Sequence, residues 1–152
     1  MQLQDADRRI LRELQGDATL SLKDLAQRVA MSSSTAWRRV QDLEEAGVIT
    51  GRVTLVDPAL LGLTVCVLLN VNIVAQSTET REAFERFVRN HENILQCYSM
   101  TGAHDYTLMV RTRQVADYER FLMDELLAHP SVASAQSQLL LRQVKNSTVL
   151  PV

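Results

Sequence analysis

Two short helical patterns, joined by a break of three residues, constrain this chain more than any other feature of its sequence. In the first pattern, apolar side chains recur with the i, i+3, i+4, i+7 spacing of one helix face. They are Leu22, Leu25, Ala26 and Val29. After residues 30–32, a second apolar stripe runs through Ala36, Val40 and Leu43, and it ends at Gly47. Two short helices joined in this way predict a helix-turn-helix, an element that enters the major groove of DNA.

A third helical pattern precedes these two, and polar residues mark where the helices begin. Residues 6–15 carry an apolar stripe, and Asp5 is the predicted N-cap of that helix. Ser21 is the predicted N-cap of the next helix, where Asp24 places its negative charge near the positive end. The N-terminal part of the chain is therefore predicted to contain three helices.

Hydroxyl and guanidinium groups lie on the outer side of the helix that follows the break. The candidate DNA contacts on it are Ser33, Ser34, Thr35, Arg38 and Arg39. Arginine can bind guanine O6 and N7 with two parallel hydrogen bonds, and hydroxyl groups suit phosphates and base edges. The alternative is a solvated helix face that begins with ordinary serine caps. For Trp37, on the same helix, packing over the preceding helices is favoured over contact with DNA.

Charge is distributed unevenly along the chain. The 16 Lys and Arg against 18 Asp and Glu give a net charge of −2, which counts mildly against nucleic acid as a partner. Between Lys23 and Gln41, however, four basic side chains accompany a single acidic one. A local basic face on a nearly neutral protein favours a sequence-specific DNA reader over a protein that coats DNA.

A small hairpin, or wing, is predicted after the helix-turn-helix because β-branched residues flank Gly51. Arg52 lies at its tip, and Lys23 and Arg52 are the candidate contacts to backbone phosphates. With this wing, residues 1–57 form a predicted winged helix-turn-helix domain. Residues 58–62 are interpreted as a turn and a short linker.

Residues 63–152 follow a different pattern, in which strands alternate with amphipathic helices. The predicted strands span 64–74, 94–101, 106–112 and 132–145, and the predicted helices span 78–91 and 115–128. This βαββαβ order is that of a ferredoxin-like sandwich. The chain is therefore predicted to be an α+β protein of two domains.

Two of the predicted strands are apolar on both faces. In the first strand, Val65 and Val67 alternate with Cys66 and Leu68, and residues 139–141 place leucine on both faces of the last strand. Two helices can cover only one face of a four-stranded antiparallel sheet, so a second copy of the sheet is expected on the other. The resulting homodimer would present two recognition helices to major grooves about 34–36 Å apart, or a multiple of that distance.

Four segments give the chain a family resemblance over nearly its whole length. They are residues 7–15, 24–29 and 32–49, and the turn Gly102-Ala103-His104-Asp105-Tyr106. Because of the order and spacing of these segments, the chain resembles the leucine-responsive and asparagine-regulator (Lrp/AsnC) family of prokaryotic transcription factors. The resemblance implies an N-terminal winged helix-turn-helix and a C-terminal domain that senses a ligand. It also implies dimers, which in this family commonly assemble into octamers.

An effector site around the glycine turn, commonly for an amino acid, is a further implication of the resemblance. Its candidate residues are Tyr98, Met100, Thr101, Gly102, Ala103, His104 and Asp105. Main-chain N–H groups of a glycine turn can hold a carboxylate, and Asp105 can bind an ammonium group. Gly102 and Asp105 can also serve only to shape a tight hairpin, and for Asp105 both interpretations stay open.

Other classes of function are less consistent with the sequence. An enzyme that uses His104 and Asp105 as acid and base is disfavoured, because adjacent strand residues point to opposite faces. No nucleophile with a base, phosphate-binding loop or metal-ligand spacing accompanies them, so no cofactor or metal is expected. Cys66 and Cys97 are interpreted as small buried thiols. An architectural protein that wraps DNA without specific sites is the remaining alternative.

The expected location is the cytoplasm, with no membrane partner. No apolar run approaches the length of a membrane span, and the first residues lack a basic, apolar signal region.

Overall fold

Two compact units make up the chain in the computed structural model, which describes residues 2–152. One unit contains the chain up to Leu55 together with Val144–Val152, and the other contains Val56–Gln143. The first break lies close to the predicted boundary at residue 57. The last nine residues, however, pack with the N-terminal unit and not with the C-terminal one. No helix among the described residues is long and apolar enough to cross a membrane.

Hydrogen bonds to the first helix explain the position of the C-terminal tail. The side-chain amide of Gln15 donates to the carbonyl oxygen of Leu150 at 3.2 Å and accepts from its N–H at 2.7 Å. Arg12 Nε donates to the main-chain oxygen of Val152 at 2.6 Å, and the Val152 side chain packs against the helical core. These partners lie about 135 residues away along the chain, so no local pattern could indicate them.

Three helices form the N-terminal unit: α1 (Asp5–Gly16), α2 (Leu22–Arg28) and α3 (Ser33–Glu45). Ser21 Oγ accepts a hydrogen bond from the N–H of Asp24 at 3.1 Å, which confirms the predicted cap of α2. The predicted cap of α1 is wrong by one residue, because Gln4 and not Asp5 takes that position. The Asp7 carboxylate accepts the N–H of Gln4 at 2.9 Å, and this bond fixes the start of the helix.

The predicted wing does not form paired strands. Residues 51–57 have no regular secondary structure, and Val53 and Leu55 are 78% and 74% exposed. A two-stranded hairpin is marginal unless one of its faces packs on a core, and these side chains do not pack on one. The hairpin prediction is therefore wrong for this segment, although residues 58–62 form the expected turn.

The Val56–Gln143 unit is a four-stranded antiparallel sheet of order β2-β3-β1-β4 with two helical segments. Its elements are β1 (Val65–Ile73), α4 (Thr78–Asn90), β2 (Ile94–Ser99), β3 (Tyr106–Thr112), α5 (Val115–Arg120, continuing as a π-helix over Phe121–Leu126) and β4 (Val132–Leu139). This order confirms the predicted α+β, βαββαβ arrangement. Strand β4 ends at Leu139, six residues before the predicted residue 145. One further ladder hydrogen bond follows, from the N–H of Leu140 to Cys66 O at 2.9 Å, and β1 itself begins at Val65.

The two faces of the sheet differ in burial. Val67, Leu69 and Val71 of β1 are at most 1% exposed, and they pack in a core with Phe84 and Phe121 from the helical layer. The alternate residues form the other face, which α4 and α5 do not cover. Apolar members of that face are Leu68, Tyr98 and Met109, and polar members are Asn70, Gln136 and Gln138.

Candidate functional site

The outer face of α3 is polar, exposed and begins at a firmly capped end. Ser32 Oγ accepts the N–H of Thr35 at 3.2 Å and lies 3.1 Å and 2.8 Å from the hydroxyl oxygens of Ser34 and Thr35. Ser33, Ser34 and Thr35 are all exposed, as predicted for residues that face a partner. Their hydroxyls keep unused bonding capacity, since each has one donor and two acceptor positions.

Arg38 and Arg39 are adjacent in sequence but have different surroundings. Arg38 is exposed, and no carboxylate among the described residues pairs with it. Arg39 Nη1 lies 2.8 Å from Asp7 Oδ1, and its Nη2 donates to Gln4 Oε1 at 3.1 Å. Because the Asp7 side chain is only 5% exposed, Arg39 neutralises a buried charge and ties α3 to α1. We therefore assign Arg39 a positioning role in place of the predicted DNA contact.

The two candidate phosphate contacts also differ. Lys23 is exposed on α2 and has no ion pair among the described residues. Arg52 Nη2 pairs with Glu44 Oε1 at 2.8 Å, with both side chains partly exposed. Exposed pairs of this kind contribute little to stability, so a phosphate can displace Glu44 at small cost. Arg8 and Arg9, on the exposed side of α1, are further cations that the sequence reasoning missed.

The structure contradicts the prediction that Trp37 packs over the preceding helices. Its side chain is 55% exposed, whereas Ala36 and Val40 on either side of it in the sequence are buried. Each residue turns a helix by about 100°, which places Trp37 at the flank of the buried stripe and next to the polar face. The helical phase therefore indicates an exposed position for Trp37, whereas the size of the indole favours packing.

The glycine turn between β2 and β3 is held by main-chain and carboxylate hydrogen bonds. The N–H of Met100 donates to the carbonyl of Asp105 at 2.8 Å, and the N–H of Asp105 donates to Val71 O at 3.1 Å. Gly102 has φ +119°, a conformation that side chains with a Cβ rarely adopt. Thr101, Gly102 and Ala103 are exposed, which leaves the top of the turn open to a ligand.

Both carboxylate oxygens of Asp105 already have protein partners. Oδ2 accepts the N–H of Ile73 at 2.9 Å, and Oδ1 accepts Nε2 of Gln76 at 2.7 Å. These bonds join the turn to the end of β1 and to the segment that leads into α4. Of the two interpretations of Asp105, the geometry therefore favours a residue that fixes the turn over one that waits for an ammonium group.

Replacing Asp105 with alanine is expected to lower the free energy of unfolding by about 1–3 kcal/mol, because the part-buried N–H of Ile73 loses its carboxylate partner. Urea denaturation followed by circular dichroism measures the change. The matched control is Asp57→Ala, which removes a carboxylate that accepts the exposed N–H of Ala59. Equal effects of the two substitutions would contradict the structural role of Asp105.

The remaining candidate effector residues lie around the same turn. Tyr98 and Met100 are 57% and 37% exposed, and His104 is half-buried. The structure therefore gathers exposed main-chain N–H groups, an aromatic ring and a thioether near one edge of the sheet. Such a set can hold a small molecule that has a carboxylate and an apolar side chain.

Neither cysteine is placed as a reactive nucleophile. Cys66 is buried, as predicted, whereas Cys97 is only half-buried. Burial, with a smaller contribution from the nearby negative charge of Glu85, raises the pKa of the Cys97 thiol to about 11. At neutral pH this group is a thiol, whereas nucleophilic attack requires the thiolate.

Comparisons with known proteins agree with both units. A family model for winged helix-turn-helix DNA-binding matches residues 3–50, and one for the Lrp/AsnC ligand binding domain matches residues 66–150. The transcriptional regulator AzlB of Bacillus subtilis (strain 168) is 30% identical over 150 residues, covering 99% of this chain and 96% of AzlB.

Two solved structures superpose on nearly the whole chain. The transcriptional regulator NMB0573 of Neisseria meningitidis, crystallised with L-Met, gives a TM-score of 0.94 at 33% identity and covers 99% of this chain and 97% of its own. An AsnC family transcriptional regulator from Agrobacterium tumefaciens gives 0.93 at 35% identity, with 98% and 97% covered. The family matches span both units and confirm the resemblance seen in the sequence. The chain belongs to the Lrp/AsnC family of DNA-binding transcriptional regulators.

Proposed function

We propose that this regulator reads the major groove of DNA with α3 and changes its DNA binding when an amino acid occupies the Gly102–Asp105 turn. The observation that carries the first part is the exposed, capped start of α3 beside Arg38, which has no ion pair among the described residues. The proposed contacts are Ser33, Ser34, Thr35 and Arg38 to base edges or phosphates, and Lys23 and Arg52 to phosphates. In this proposal Arg39 holds α3 in place through its bond to Asp7 and is not assigned a DNA contact.

We propose a homodimer as the functional unit, with a higher assembly such as an octamer built from it. Support comes from the sheet face that α4 and α5 leave uncovered, where Leu68 and Met109 are presented together with amide side chains. A second copy of the same face would cover these groups and pair the amides across a two-fold axis. Sedimentation equilibrium tests this part of the proposal, and a monomer at micromolar concentration would contradict it.

The effector part of the proposal depends on the open main chain of residues 101–103. Those N–H groups suit the carboxylate of an amino acid, while Tyr98 and Met100 offer an apolar contact to its side chain. A related regulator of known structure was crystallised with L-Met, which supports an amino acid as the ligand class. Because the Asp105 carboxylate is already engaged, its task in this proposal is to keep the turn in shape.

A non-enzymatic role in the cytoplasm completes the proposal. AzlB and the two superposed proteins are transcriptional regulators, and no cofactor is required for reading DNA. The alternative of an architectural protein differs in its salt dependence and sequence preference. Wrapping without specific sites requires many phosphate contacts, which give a steep decrease in affinity with salt and little difference between sequences.

The testing experiment is selection of duplexes from a random-sequence library by the full-length protein, repeated with each of the common amino acids. We expect one enriched sequence with two-fold symmetry and an affinity that changes with one or a few amino acids. Recovery of unenriched duplexes would overturn the proposal in favour of the architectural alternative. An enriched sequence that no amino acid affects would overturn the effector part alone.

A further inference from the structure

The indole of Trp37 is an isolated, exposed apolar group next to the polar face of α3. Trp37 is 55% exposed, and it is the one large apolar side chain of α3 that is exposed. An exposed ring of this size is unfavourable in water, and a partner that covers it removes apolar surface from water. Trp37 is therefore a strong candidate for a group that a partner covers.

Helical spacing places Trp37 beside the residues proposed to read bases. Ser33 and Ser34 precede it by four and three residues, and Gln41 follows it by four. Side chains separated by three or four positions are neighbours on a helix surface. Trp37 therefore lies on the same side of α3 as Ser34 and Gln41. It is next to Arg38 in the sequence, and both are in the first half of the helix. Residues in that half of a recognition helix are those that reach base edges.

The surroundings of the indole favour DNA over a protein partner. Protein interfaces have apolar centres made of several side chains, and a single ring among hydroxyl, amide and guanidinium groups does not provide one. The major groove, by contrast, has one isolated apolar feature, the C5-methyl group of thymine. A flat apolar ring flanked by hydrogen-bonding side chains matches a thymine flanked by base edges and phosphates.

We propose that Trp37 packs on a thymine methyl group in the major groove and sets the base preference at one position of each half-site. This inference rests on the proposed docking of α3 in the groove. Ser33, Ser34 and Arg38 supply polar contacts there, while Trp37 supplies shape and an apolar surface. A residue of this kind changes which sequence is bound more than it changes affinity for DNA in general.

The test compares the wild-type protein with Trp37→Ala on a duplex selected by the wild type from a random-sequence library. The variant is expected to lose about tenfold in affinity for that duplex and little for a scrambled duplex, because the thymine methyl contact exists only in the selected sequence. Each thymine is then replaced in turn by deoxyuridine, which removes only the methyl group. One replacement is expected to weaken the wild type and to leave Trp37→Ala unaffected, as a double-mutant cycle requires for a direct contact.

Two variants separate failure of this inference from failure of the docking proposal. Trp37→Phe keeps an apolar ring and is expected to retain sensitivity to the same deoxyuridine replacement. If Arg38→Ala loses affinity while Trp37→Ala binds normally, or loses affinity equally for both duplexes, the docking stands and the Trp37 inference is overturned. If Arg38→Ala also binds normally, the docking itself is wrong. Circular dichroism checks the fold of each variant, and the exposed position predicts no change.

Discussion

Replacing Arg39 with alanine is expected to lower the free energy of unfolding by about 2–4 kcal/mol, close to the cost of breaking a buried ion pair. The substitution leaves the Asp7 carboxylate, 5% exposed, without the guanidinium that lies 2.8 Å away. It also removes the bond from Arg39 to Gln4 and so loosens the contact between α3 and the start of α1. The N–H of Gln4 still donates to Asp7, which keeps the loss below that of a fully stranded charge.

Urea denaturation and amide hydrogen exchange in α1 and α3 measure this effect. The matched control is Arg28→Ala, which breaks a pair with Glu13 in the same unit whose side chains are 51% and 35% exposed. Exposed pairs are worth about 0–1 kcal/mol, so this control is expected to change stability little. A similar loss in both variants would show that burial of Asp7 has no special energetic role.

The second large effect is expected for Arg38→Ala, which should weaken binding to the selected duplex about a hundredfold and leave stability unchanged. A bidentate arginine–guanine contact is worth about 1–3 kcal/mol, and a symmetric dimer loses it twice. Arg38 forms no ion pair with the described residues, so its replacement is not expected to change the free energy of unfolding. Fluorescence anisotropy of a labelled duplex measures the affinity.

Arg38→Lys distinguishes reading of a base from attraction to a phosphate. Lysine keeps the charge but cannot form the two parallel hydrogen bonds of a guanidinium. If Arg38 reads guanine, the lysine variant is expected to lose nearly as much affinity as the alanine variant. A lysine variant that binds like the wild type would assign Arg38 to a phosphate instead. Unchanged affinity in both variants would remove Arg38 from the interface.

Local patterns in the sequence were sufficient to predict the helices, the order of the strands and the family. Caps such as Ser21 depend on residues three positions away, and the alternation in β1 reports directly which face is buried. The turn at 58–62 follows from the same kind of local chemistry. For this reason the sequence alone predicts the α+β architecture correctly.

Long-range partners account for what the sequence did not predict. Arg38 and Arg39 are chemically identical, and only the position of Asp7, 32 residues away, separates their roles. Asp105 is engaged by Ile73 and Gln76, which approach it through the pairing of β1 with β3. The C-terminal tail is likewise held by Gln15 of α1. None of these contacts has a periodic or short-range signature.

The most direct test of the account is the affinity of the full-length protein for its selected duplex and for a scrambled duplex of the same composition. We predict a preference of about a thousandfold or more at physiological salt, the lower end for specific DNA-binding proteins. Arg38→Ala is predicted to reduce that preference strongly. Equal affinity of the wild type for the two duplexes would contradict the claim that α3 reads sequence.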